Sequence, residues 1–220
     1  MTYSLVGRCA RIGMFGAAAT TSSGAVGSRC PNARAKLGAV FTQHRTDPRL
    51  GPRGLDLLEA GHSADVVIAE LTQNDPTIGW RQLAVIDSDG QTAFFHGDRI
   101  KSIHAESQGK DCCAIGNIVR NEDVPKAMTD AFEADPNEPL AERLLRALAA
   151  SDPSGVEFRQ IKSAALMVVH QESFTYVDLR VDLDRALLAQ LHYQRELDEP
   201  LLERYIERMF DPNSIPYPEV

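Results

Sequence analysis

Thr2 is the residue that needs least help from the rest of the chain to do chemistry. A small residue after the initiator Met is the usual substrate for Met removal. Removal leaves Thr2 with a free α-amine beside its own hydroxyl. An α-amine with a reference pKa of ~7.7–8.0 accepts a hydroxyl proton near neutral pH, so one residue supplies both nucleophile and base. The pattern is weak alone, since Thr follows Met in many inert proteins. It gains weight because Thr2 opens an apolar, strand-forming segment, where a terminus is fixed rather than frayed.

The other candidates each carry two readings. Asn117, after Gly116 at a strand end, either supplies an oxyanion-stabilising amide or bonds its own backbone in a turn. Gln43 and His44 stand where the apolar run 37–41 stops, and either bind substrate or satisfy loop amides. Asp178, Arg180 and Asp182 alternate along one strand and so share a face. They are a structural ion network or solvated stripe, or else Asp178 and Arg180 contact substrate.

Metal and cofactor motifs are missing. The six histidines never fall at i,i+3 or i,i+4 spacing, and Cys9, Cys30, Cys112 and Cys113 form no CxxC pair. The thiols read as reduced and mostly buried, as in a cytoplasmic protein. There is no GxGxxG, P-loop, HExxH or GxSxG. No metal and no cofactor are expected.

Charge narrows the partners. Lys+Arg number 23 against 31 Asp+Glu, a net charge of −8, which disfavours nucleic acid. The imbalance is uneven: residues 1–60 hold eight basic and three acidic side chains, while residues 121–220 hold ten and twenty. The basic excess near the N-terminus suits an anionic group on a small-molecule substrate, with Arg34 and Lys36 as candidate contacts. No apolar run approaches the ~18–20 residues that span a bilayer, and Arg8 and Arg11 interrupt the only candidate leader. Neither membrane nor export is expected.

Elements must position these residues. Residues 2–9 and 11–19 read as a hairpin, 36–43 as a strand, and Asp89-Gly90 as the turn between strands 82–87 and 91–95. Residues 112–119, 163–170 and 175–181 are further strands. Gly51-Pro52 opens one helix and Ser63 caps a second that runs to about 73. Leu140, Leu144, Leu145 and Leu148 keep helical register over 139–150, after another helix at 122–134. Strands and helix pairs arrive in clusters, without strict βαβ alternation, which gives a single α+β domain over 1–220. Residues 184–210 read as two amphipathic helices split at Pro200, and 184–220 as a helical extension. Their apolar surplus predicts a homodimer.

Several segments carry a resemblance: residues 1–6, 36–43, 51–58, 81–82, 116–118, 139–145, 163–166 and 176–182. Together they resemble the bacterial domain of unknown function family 1028 (DUF1028), which is similar to the N-terminal nucleophile hydrolases. The resemblance implies a four-layer αββα sandwich with two stacked antiparallel sheets and outer helices. It implies amide-bond hydrolysis with Thr2 at the nucleophile position. It also implies a Lys near the end of the second strand, where this chain has Thr21-Ser22-Ser23. Lys36 or an Arg must then supply the positive charge near the amine. The expected activity is that of an amidohydrolase acting on a small amide or peptide-like metabolite. The alternative is a non-catalytic member of the fold that binds a metabolite or protein partner.

Overall fold

The computed structural model describes residues 1–151 and 160–183. Two antiparallel sheets lie face to face. The six-stranded sheet runs β10-β9-β2-β1-β8-β7, built from Thr2–Cys9 (β1), Met14–Thr21 (β2), His104–Gly109 (β7), Cys112–Asn117 (β8), Ser163–Val169 (β9) and Thr175–Val181 (β10). The four-stranded sheet runs β3-β4-β5-β6, from Pro31–Arg34, Gly38–Gln43, Gln82–Ile86 and Thr92–His96. Helices α1 (Leu50–Glu59) and α2 (Ala64–Thr72) cover the smaller sheet. Helices α3 (Val124–Glu133) and α4 (Leu140–Ala150) cover the larger one. The layers are therefore αββα, as the resemblance implies.

Period-two alternation sorts the side chains. Along β1, Tyr3 and Leu5 face α3 and α4, while Val6 packs between the sheets with Phe15, Ala17, Phe41, Ile86 and Ile115. A third apolar cluster, with Val40, Leu71, Leu83 and Val85, lies under α1 and α2. The β1–β2 pair is glycine-marked for a steric reason: a Cβ on Gly16 would stand 2.7 Å from both Leu144 Cδ1 and the Met167 carbonyl. Gly13, at φ 72°, turns the hairpin. β1 lies inside the sheet with partners on both sides, as its small apolar sequence predicts.

Differences from the sequence reading have local causes. The first hairpin turns at residues 10–13, so β2 starts at Met14 rather than 11. β3, for which the sequence reading has no strand, opens on Pro31 at the sheet edge, where a missing N–H costs nothing. β7 is likewise an edge strand, His104–Gly109, with no apolar run to announce it. Ser63 occupies the N-cap of α2 but makes no side-chain cap bond; Asp87, in the turn after β5, accepts the Ala64 N–H instead at 3.1 Å. The four cysteines are free and buried, and burial drives the Cys112 thiol up to about 12. The helices expected over 184–210, and with them the dimer surface, lie outside the described residues.

Candidate active site

One end of the sandwich is polar, and away from it the inward positions turn apolar. Inward positions of β1, β4, β5, β6, β7 and β8 there carry Thr2, Ser4, Gln43, Gln82, His96, Glu106 and Asn117. A cleft of about 770 Å³ opens at this end, lined by Thr2, Thr21, Arg29, His44, Arg45 and Asn117 among others.

Register fixes how Thr2 is presented. Thr2 pairs with Thr21 on β2 and with Asn117 on β8. The Ser22 N–H donates to the Met1 carbonyl at 3.0 Å, which makes Thr2–Thr21 the closely spaced, non-hydrogen-bonded kind of pair. Its side chains accordingly meet, with Thr2 Oγ1 2.9 Å from Thr21 Oγ1. In that pattern the backbone N–H and C=O of Thr2 point the other way, towards Asn117. The Met1–Thr2 amide itself is held in the cleft. The Thr21 hydroxyl donates to the Met1 carbonyl at 2.8 Å, and the Met1 amine donates to Ser22 Oγ at 3.1 Å.

Behind the cleft, Gln82 joins the two sheets. Its Nε2 donates to the Gly116 carbonyl at 2.9 Å and to His96 Nδ1 at 2.7 Å. Its Oε1 accepts from Asn117 Nδ2 at 2.9 Å and from Gln43 Nε2. All four hydrogen-bonding positions of the amide are used. A carbonyl can only accept, so Gly116 fixes which end of Gln82 carries nitrogen. His96 must then accept at Nδ1 and, when neutral, carry its hydrogen on Nε2, which lies 2.9 Å from Glu106 Oε2. Burial lowers the His96 pKa from its usual value, and the nearby Glu106 charge opposes that shift. Ser4 Oγ donates to Gln43 Oε1 at 3.0 Å and closes the network.

The rim of the cleft is strained. His44 (φ 56°), Arg45 (φ 49°) and Ile118 (φ 55°) all adopt left-handed backbone without being glycine. Each such residue costs about 1–3 kcal/mol, and the cost is greatest in kind for a β-branched residue. Such outliers gather at functional sites. The ring of His44 is held by a 2.7 Å contact from Nδ1 to the Trp80 carbonyl, and the Arg45 guanidinium lies 4.1 Å from the centre of the Trp80 ring. Cys30 also lines the cleft, but burial raises its thiol pKa against the opposing effects of Thr46 and Arg29. A thiolate nucleophile is not favoured there.

The structure brings together Thr2, Asn117 and His44 at the cleft and seats Gln43 directly behind it. It does not bring in the others. Arg34 pairs with Asp56 and Glu59 of α1 at 3.0 and 2.7 Å. Lys36 is exposed in the β3–β4 turn, at the opposite end of β4 from Gln43. Asp178 and Arg180 are exposed on the outermost strand, β10, where Arg180 reaches Asp182 at 3.4 Å. The local positive charge comes from Arg29 and Arg45 instead. One Asn117 N–H is spent on Gln82, so a single donor remains for other work. The sequence reading does not single out Gln82 as a site residue, although a polar side chain inward of Ala84 and Ile86 on one strand face is a legible signal. Among the described residues, no group of three or more His, Cys, Asp or Glu is placed to hold a metal ion.

The model of a family of unknown function, DUF1028, matches residues 2–191. The chain belongs to that family. A solved DUF1028 structure, protein SPO2555 from Silicibacter pomeroyi, is similar to this chain at 27% identity and a TM-score of 0.83, covering 90% of this chain and 85% of that one. Anbu (ancestral beta-subunit) from Yersinia bercovieri aligns at 12% identity with a TM-score of 0.40, over 99% of this chain and 100% of its own. No curated protein matches the sequence. None of the described helices is long and apolar enough to cross a membrane.

Proposed function

We propose that this DUF1028 protein is an amide hydrolase whose nucleophile is Thr2, freed by removal of Met1, and whose substrate is a small amide or peptide-like molecule. The observation that carries the reading is the seat of the Met1–Thr2 amide. A carbonyl in the cleft receives the Thr21 hydroxyl and the Ser22 N–H, two donors of the kind that stabilise an oxyanion. Both become available when Met1 leaves.

In the proposed reaction the Thr2 hydroxyl oxygen bonds to the acyl carbon while the Thr2 α-amine takes the hydroxyl proton. The amine returns that proton to the leaving nitrogen as the C–N bond breaks. Water then attacks the acyl-enzyme ester, releasing the acid and restoring Thr2. The backbone nitrogen of Thr2 points towards Asn117, so Asn117, held by Gln82, positions the base. An N-terminal base works only without Met1, and a chain that keeps Met1 fills this space with a residue that is 4% exposed. That accommodation supports the second reading, a non-catalytic binding protein.

The test is hydrolysis of a panel of N-acyl amino acids and short peptides by the protein beginning at Thr2. Thr2→Ala should abolish turnover, Thr2→Ser should retain it, and an N-terminal extension should silence it. Undiminished turnover by Thr2→Ala would remove Thr2 from the mechanism.

A further inference from the structure

The cleft carries cations that no carboxylate among the described residues neutralises. Its two guanidinium groups sit on separate turns, Arg29 after β2 and Arg45 after β4. Arg29 donates only to neutral oxygens, the carbonyls of Gly24 and Ala25 at 2.6 Å and Ser23 Oγ at 2.8 Å. Arg45 has no carboxylate partner among the described residues and lies over the face of Trp80. Among the described residues, no Asp or Glu lines the cleft. Five arginines elsewhere in this chain of net charge −8, Arg8, Arg34, Arg49, Arg146 and Arg180, do meet carboxylates.

We infer that the cleft selects ligands bearing a free carboxylate, with Arg45 as the main recognition group. The inference rests on the amide-hydrolase reading only for the amide half of the ligand; the acid half follows from the cations. The left-handed backbone at His44 and Arg45 aims the Arg45 side chain across Trp80, and the His44 ring is tied to the Trp80 carbonyl. A guanidinium held by ring stacking is pre-organised for a planar, bidentate carboxylate. Phosphate is less well served, because none of α1–α4 contributes a lining residue and so no α-helix among the described residues offers its N-terminal N–H groups.

Trp80 is the single tryptophan of the chain and has Arg45 at 4.1 Å, nearer than Arg99 at 5.7 Å, so its fluorescence reports on the Arg45 side of the ring. The experiment titrates the Thr2→Ala protein with N-acetylglycine, with its neutral analogue N-acetylglycinamide, and with inorganic phosphate, following Trp80 emission. The expected result is a saturable response to N-acetylglycine at least about tenfold tighter than to the amide. That preference should collapse in Arg45→Gln and persist in Arg53→Gln, a change outside the cleft. Equal responses to acid and amide, tighter binding of phosphate, a preference that survives Arg45→Gln, or no saturable response to either probe would each overturn the inference. Failure of the hydrolase reading looks different: the acid preference stands while the wild-type protein beginning at Thr2 turns over no amide.

Discussion

The two ends of the space between the sheets are built on the same strands and obey opposite chemistry. Towards one end the inward positions are Val6, Phe41, Ile86 and Ile115; towards the other, on the same strands and faces, they are Thr2, Gln43, Gln82 and Asn117. The apolar end gains from burial and close packing alone, and each of its side chains tolerates its neighbours without direction. The polar end gains only if every donor finds its acceptor, because an unpaired buried amide costs more than a paired one returns. Stability is made at one end, and the geometry of the cleft at the other.

That contrast can be broken first at the apolar end. Phe41 is fully buried. Phe41→Ala should cost about 4 kcal/mol, a fall in Tm on the order of 10 °C for a chain of this size, read by thermal denaturation. Because Phe41 makes no part of the polar network, ligand response at Trp80 should survive below the new Tm.

At the polar end, Gln82→Leu keeps the side-chain volume and removes the four-way hydrogen bonding. It leaves Asn117, Gln43, His96 and the Gly116 carbonyl short of a partner, and should cost about 3 kcal/mol in chemical denaturation. Unlike Phe41→Ala, it should lower turnover even where the protein is fully folded, since Asn117 loses its anchor. A folded Gln82→Leu protein with wild-type turnover would show that the network serves stability alone.

The smallest effect is a pH dependence. Burial lowers the folded-state pKa of His96, so below the unfolded value of ~6.5 the unfolded chain binds the proton more readily. The His96 contribution is therefore present above pH ~6.5 and is lost as pH falls through the window from there down to the lower folded value. Glu106 and His104 on β7 and Gln82 on β5 face the ring, and of these only Glu106 favours the charged form. The urea midpoint should fall with pH in the wild type more steeply than in His96→Asn.

Much of the frame is legible from residue patterns. Leu140, Leu144, Leu145 and Leu148 announce α4, Asp89-Gly90 marks the β5–β6 turn, and the small apolar β1 reads as an interior strand. The edge strands β3 and β7 are not legible, because a half-buried strand shows neither an apolar run nor a clean alternation. Thr2 and Asn117 are visible as residue types at strand ends, yet their adjacency comes from the β1–β8 register, which joins positions 115 residues apart. Arg34 and Lys36 mislead for the same reason: local charge excess says which segment is basic, not which end of its hairpin faces the cleft. Arg29 and Arg45 belong to the same basic segment and differ only in where the turns deliver them.

The proposed mechanism requires Thr2 to be the first residue of the working protein. Intact mass spectrometry of untagged protein, purified from cells with ordinary Met aminopeptidase activity, decides whether it is. The expected species is the 24.2 kDa chain less one methionine residue, beginning at Thr2 with a free amine. A single species that keeps Met1 would rule out the mechanism, because the Thr2 nitrogen would then be an amide and could not act as a base.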